Sequence, residues 1–236
     1  SGCMALIVSG FGLQNAIAPI VDRQYGEISR YDAVLTLSEG DTALPDSALR
    51  AELEADPAVS RAVPVYELSG RVSTADGAKR MDETRLFVPD SAEDCAEILR
   101  LHTPAGEEVH LTPDGAVLTR KLADTLGVKA GDEVLFLASE EEHSFRVTAV
   151  VENYIYNYVY ILPELYRASF GRDAAYNEFY LVQTDAMDDH DAFAARWLAG
   201  HDTLLAVTFT DHARATVRAT LKSLNVVVAV MILCAG

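Results

Sequence analysis

The chain has 236 residues and a formal net charge of −17, and half of its side chains are hydrophobic. That length supports one medium domain or two small subdomains with a substantial core. The acids are spread along the chain, and such a surface repels phosphate backbones and argues against nucleic acid as a partner. Of the three cysteines, Cys3 and Cys234 lie in the hydrophobic ends, which leaves Cys95 in the body and no disulfide framework.

Residues 3–13 are apolar or small throughout, and residues 224–236 form a second apolar run without a cap. Neither supplies the roughly 20 apolar residues of a membrane-spanning helix. The N-terminal run lacks the basic segment and small-residue cleavage motif of a signal peptide. One short apolar run is commonly a buried core helix. One at each end reads as two partial transmembrane helices, 1–20 and 211–236, the second opening with a stalk, around an extramembrane body at 21–210.

Within the body, Tyr31–Leu37 alternates as a strand, and Pro45-Asp46-Ser47 opens a helix to about Asp56 with Leu49 and Leu53 four apart. Val59–Val72 reads as a strand in which Pro64 marks a bulge or an edge. Lys79–Val88 is its hairpin partner across Thr74-Ala75-Asp76-Gly77. This order predicts an α+β fold, a mixed sheet with covering helices. From about 90 to 151 the units shorten and read as a smaller, β-rich outer subdomain. Asp94–Leu101 is a short helix, Ala116–Thr119 a strand, and the next helix buries Leu122 and Leu126 before Gly127 caps it in the left-handed conformation. Gly131-Asp132 turns into a strand at Glu133–Ala138, paired across the acidic turn Glu140-Glu141-Glu142 with Ser144–Val151.

The last third predicts an extended segment at Glu152–Ile161, a helix at Glu164–Phe170 and a strand at Asn177–Gln183, then a helix at Asp189–Leu198 and a strand at Leu204–Phe209. Asp211 is the expected N-cap of one helix continuous with the terminal apolar run. Arg214, Arg218 and Lys222 make a basic stripe on that helix, suited to lipid headgroups or to pairing with the acidic body. If Glu152–Ile161 is one strand, Tyr154, Tyr156, Tyr158 and Tyr160 share a face. That row is either a recognition surface for a peptide or lipid, or cross-strand packing with the hydroxyls at the sheet margin.

Sequence motifs for chemistry are lacking. Gly10-Phe-Gly12 has no third glycine of a dinucleotide fingerprint, no phosphate loop occurs, and neither His-Glu-x-x-His nor Cys-x-x-Cys is present. Asp188-Asp-His-Asp191 sits where a helix begins, so its acids read as helix capping rather than as metal ligands. His102 and His110 flank a turn and read as surface residues. No residues pair as a triad. The expectation is no catalytic residue, no cofactor and no metal.

Four stretches carry a family resemblance: Gly10-Phe-Gly-Leu13 with Gln24–Ile28 and Tyr31-Asp32; Val117–Asp132; Phe145–Tyr154 with Tyr160–Tyr166; and Leu224-Asn225 passing into the last apolar run. Together they resemble the extracellular, MacB-like periplasmic core domain of an FtsX-like ABC-transporter permease. The resemblance implies a non-enzymatic domain on the extracytoplasmic side of the cell membrane. It implies an ATPase subunit, the membrane and a second permease copy as partners, and a role in coupling ATP-driven helix motion to export, release or sensing. The alternative is an extracellular peptide- or ligand-binding sensor without transport.

Overall fold

The computed structural model describes residue 20, residues 22–212 and residues 214–215. The two expected membrane segments, with Arg218 and Lys222, lie outside the described residues. Among the described residues no helix is long and apolar enough to cross a membrane.

After a π-helical turn at Gln24–Ile28, the strands are β1 (Ala33–Asp41), β2 (Val59–Thr74), β3 (Arg80–Pro89), β4 (Ala116–Thr119), β5 (Glu133–Ala138), β6 (Glu141–Val151), β7 (Asn157–Tyr160), β8 (Tyr176–Gln183) and β9 (Leu204–Phe209). The helices are α1 (Ala48–Ala55), α2 (Ala92–Ile98), α3 (Arg120–Leu126), α4 (Pro163–Phe170) and α5 (His190–Gly200). The fold is α+β with a mixed sheet, in the order β3-β7-β4-β6-β5-β2-β8-β1-β9. β3 also pairs with β2, so β2, β3, β7, β4, β6 and β5 form a closed hydrogen-bonded circuit from which β8, β1 and β9 extend. The expected outer segment supplies β4, β5 and β6: β5 pairs with β2, β4 with β7, and β6 lies between β4 and β5.

β2 makes this arrangement possible. Its first half pairs with β8 and its last residues, Arg71–Thr74, with β5, while Val65–Ser73 pairs with β3. Pro64 lies just beyond the end of β3, where its carbonyl accepts from Asp90 N–H at 3.2 Å and its missing N–H breaks no ladder bond. Leu35, Val72, Leu86, Leu118, Phe136 and Phe179 are fully or almost fully buried in the larger core. α1 and α5 are anchored together by Asp56, whose carboxylate accepts from Arg196 at 2.6 Å and Trp197 Nε1 at 3.3 Å.

Local signals decide the element ends. Ser47 caps α1 by accepting from Arg50 N–H, and Gly127 ends α3 with φ +73° as expected. Four expectations need correction. The acidic turn is only Ser139-Glu140, both at positive φ, and β6 already begins at Glu141, paired with Ala138. α2 runs from Ala92 to Ile98 instead of Asp94 to Leu101, because Leu99 is taken into a β-bridge with Ser29 and Arg100 N–H donates to Ile28 O. Within Glu152–Ile161 only Asn157–Tyr160 is strand: the buried Asn153 amide turns back to the Ile155 carbonyl, and Tyr156 has φ +59°. The final helix already begins at Thr210, so Asp211 lies in its first turn rather than capping it.

Gly70 marks the crossing of β2 between β3 and β5. A Cβ there would lie 2.5 Å from Phe136 Cζ and 2.7 Å from the Leu137 carbonyl oxygen. Gly70→Ala is expected to destabilise the domain by about 1–3 kcal/mol through overpacking, read as a lower denaturant midpoint at unchanged slope. Gly200→Ala, with open space around its Cβ, is the control expected to leave the midpoint within about 0.5 kcal/mol of the parent.

Candidate functional site

The strands converge on a cavity of about 280 Å³. β7 contributes Tyr158 and Tyr160, β8 contributes Glu178 and Tyr180, and β3 contributes Arg85 and Phe87. The N-terminal turn and the end of β9 close one side with Tyr25, Tyr31, Phe209 and Thr210. The side chains of β7 alternate, so Tyr158 and Tyr160 point the same way and stack at 5.3 Å between ring centres. Phe87 is the hub: Tyr158, Tyr160 and Tyr180 meet it edge-on at 5.8, 5.4 and 5.4 Å. Tyr31 meets Tyr180 edge-on at 4.6 Å. Such edge-to-face pairs contribute about 0.5–1.5 kcal/mol each beyond area burial.

A charged group sits within this aromatic wall. Glu67 on β2 has a side chain only 8% exposed, salt-bridged to Arg85 at 2.8 Å. Its other oxygen accepts from Tyr180 Oη at 2.7 Å and Tyr158 Oη at 3.3 Å. Register explains the pairing, since Glu67 lies opposite Phe87 and Arg85 opposite Ser69, which makes the ion pair a diagonal one across the β2–β3 ladder. Arg85 also lies 4.0 Å from the centre of the Tyr156 ring. Burial disfavours the Arg85 cation, but Glu67 more than offsets this and its pKa is raised.

Glu178 is the second acid. Burial, with Glu67 beside it, pushes its carboxyl up to about 8, against the opposing pull of Arg85. The two acids thus share one arginine. Burial raises the hydroxyl pKa of Tyr31, Tyr158, Tyr160 and Tyr180 above the ordinary tyrosine value, so these rings present neutral hydroxyls and apolar faces. The arrangement can hold a ligand by stacking, hydrogen bonds and charge, in the manner of small-molecule pockets. None of its acids faces a nucleophile in the geometry of a triad.

The tyrosine row therefore divides. Tyr156, Tyr158 and Tyr160 line the cavity, whereas Tyr154 does not; Tyr154 lies half-buried and its backbone N–H donates to Gln24 Oε1 at 2.8 Å. Tyr160 is 1% exposed and acts largely as packing, while Tyr156 is exposed. Arg214 sits half-buried with its guanidinium 5.9 Å from the Tyr25 ring centre. Among the other histidines and acids weighed in the sequence, His102 bridges to Glu108, and Asp189 caps α5 by accepting from Ala192 N–H at 2.9 Å. Glu67, Arg85, Glu178, Tyr25, Tyr31 and Tyr180 escaped the sequence reading. The available signal was the pair of charges in strands otherwise rich in apolar residues, Tyr66-Glu67-Leu68 and Thr84-Arg85-Leu86.

The geometry defines an α+β domain with a tyrosine-lined cavity, bordered by the N-terminal turn at 24–31 and by residues 208–210. The family model of the MacB-like periplasmic core domain matches residues 2–199, and the chain belongs to that family. Solved structures similar to it include the periplasmic region of MacB from Actinobacillus actinomycetemcomitans, at 14% identity and TM-score 0.49, covering 84% of this chain and 97% of that one. Another is the extracellular domain of the noncanonic ABC-type transporter YknZ from Gram-positive bacteria, at 15% identity and TM-score 0.45, covering 75% of this chain and 98% of that one. No curated protein sequence matches the chain.

The raised Glu178 pKa has a measurable sign. The native state keeps this proton where the unfolded chain releases it, so the associated stability is complete below the ordinary glutamate range and is lost as pH rises towards about 8. Glu178→Gln stays neutral. It is expected to match the parent's Tm near pH ~4.5 and to exceed it increasingly up to pH ~8 in a thermal melt series. A constant difference across that range would remove Glu178 as the titrating group.

Proposed function

We propose that this domain is a non-catalytic coupling element of an ABC-transporter permease. In this reading a nucleotide-binding subunit drives the membrane helices, the domain moves with them on the extracytoplasmic side, and a second permease copy completes the assembly. The motion serves export, release or sensing of a substrate at the cell surface.

The observation that supports this reading is the join between the two leads. Thr210, at the start of the final helix, donates its backbone N–H to the Asp32 carbonyl at 2.8 Å and its hydroxyl to the same oxygen at 3.1 Å. Arg214, one turn further on, stacks toward Tyr25 in the N-terminal turn. Gln24 in that turn reaches into the body, donating to Asn153 Oδ1 at 2.9 Å and accepting from Tyr154 N–H. A displacement of either lead is therefore passed to the other and to the sheet through short, specific contacts. A helix suits such transmission because its backbone hydrogen bonds are internal.

A second reading rests on the cavity. Tyr25 and Thr210 belong to the two leads and also line the tyrosine pocket, so a small ligand held there would bias their relative position, as a sensor requires.

The whole permease with its ATPase, reconstituted in lipid, separates the two. A spin label at the exposed Asp82 is expected to shift against one in a membrane helix when nucleotide is added. Tyr25→Ala with Arg214→Ala is expected to abolish most of that shift while ATP hydrolysis and domain folding persist. An unchanged shift would discard the coupling role. A ligand that raises the Tm of the parent but not of Tyr158→Phe would then favour the sensor.

A further inference from the structure

A second cluster lies outside the cavity, where α5 meets the final helix. His190 in the first turn of α5 faces Asp211 and His212 in the first turn of the last helix, and one ligand atom from each lies within 4.8 Å of the others. The Asp188–Asp191 stretch, read in the sequence as helix capping rather than metal ligation, contains His190, but Asp211 and His212 lie some twenty residues further along the chain.

We propose that His190, Asp211 and His212 form a binding site for a zinc-class divalent transition metal, which fastens the final helix to the body. Three features of the geometry support it. The donor set, two imidazoles and a carboxylate, suits zinc, nickel or copper rather than calcium or magnesium, and leaves one position of a tetrahedron for water. His190 Nδ1 and Asp211 Oδ2 are 3.4 Å apart. That is long for a charge-assisted hydrogen bond of about 2.7–2.9 Å, but it equals the spacing of two ligands about 2.1 Å from a tetrahedral zinc. Finally, His190 Nε2 is 3.2 Å from Gln183 Oε1. Donation to that amide oxygen puts the proton on Nε2 and leaves the Nδ1 lone pair directed at the cluster, the usual outer support of a metal-bound histidine.

Ring stacking and hydrogen bonds hold the scaffold on both sides. The His190 ring stacks on Phe209 at 4.0 Å and 9°. Asp32 holds the two halves in register, its carboxylate accepting from Gln183 N–H at 2.8 Å while its carbonyl accepts from Thr210. His212 meets the His190 and Phe209 rings at 5.9 Å, with a ring nitrogen within the same 4.8 Å of the other two donors. Binding consumes no bond and transfers no electron; it requires only neutral imidazoles and an ionised carboxylate.

The test uses the whole 236-residue chain without an affinity tag. Titration with Zn²⁺ against a chromophoric chelator is expected to give one ion per chain, and Co²⁺ to give visible ligand-field bands of a tetrahedral site. His212→Ala is expected to abolish the cobalt bands, with the fold of the metal-free variant checked by circular dichroism. Gln183→Ala is expected to weaken zinc binding about 10–100-fold. His201→Ala, whose ring pairs with Glu52 elsewhere, is expected to bind like the parent. Zinc binding that survives both His190→Ala and His212→Ala, or no stoichiometric binding by the parent, overturns the site.

Discussion

The structure depends on one strand finding hydrogen-bond partners along its whole length. β2 is sixteen residues long, and a strand of that length in the interior cannot leave its backbone groups bare without a cost comparable to the lost bonds. It meets the requirement by changing neighbours: β8 beside its first half, β5 beside its end, β3 along the other edge. The closed circuit and the open sheet extension are two consequences of the same ladder. Gly70 is tolerated within the strand because the β5 backbone and Phe136 come too close there for any side chain.

The polar interior of the cavity follows from that change of neighbours. Where β2 passes from β8 to β5, Glu67 is enclosed between β3, β7 and β8, and a carboxylate so placed must be paired and hydrogen-bonded. Arg85, Tyr158 and Tyr180 do this. Asn177 ties the backbone at the same level, accepting from Glu67 N–H and donating to its carbonyl, both at 2.9 Å. Glu178 arrives as a neighbour without an ion-pair partner of its own, and burial together with the nearby Glu67 raises its pKa. The charge arrangement at the cavity is a by-product of fitting a long strand into both the closed circuit and the open extension of one sheet.

The cavity, the joined leads and the His190–Asp211–His212 cluster all lie around residues 24–32 and 209–214. Asp32 links them physically: its carbonyl accepts from Thr210 and its side chain from Gln183, so it touches the final helix and the strand end next to α5 at once. Asp32 thus ties residues 209–212 to the strand end that carries Gln183, and its neighbours Tyr31 and Thr210 line the cavity.

Much of the fold was legible along the chain because it rests on local physics. The helix opening at Pro45-Asp46-Ser47, the Gly127 cap, the Thr74–Gly77 turn, the 116–119 and 133–138 strands and the helix after Pro163 follow from period, capping and turn chemistry that need no distant partner. The α+β class followed from their order, and the family from four motifs in sequence. The errors fell where a distant residue intervened. Ser29 captured Leu99 and shortened α2, and the Asn153 side chain, gripped by Gln24 and turned onto Ile155, broke the expected strand before Tyr156. The tyrosines at 154–160 were visible as a row, but their separation into cavity wall, core packing and lead contact was not. By itself the sequence determined the periodicities, the acidic surface and the family. Only the tertiary structure decided which side chains meet, because the pairings Glu67–Arg85–Tyr180 and His190–Asp211–His212 are set by strand register and chain return, and neither leaves a periodic trace in the chain.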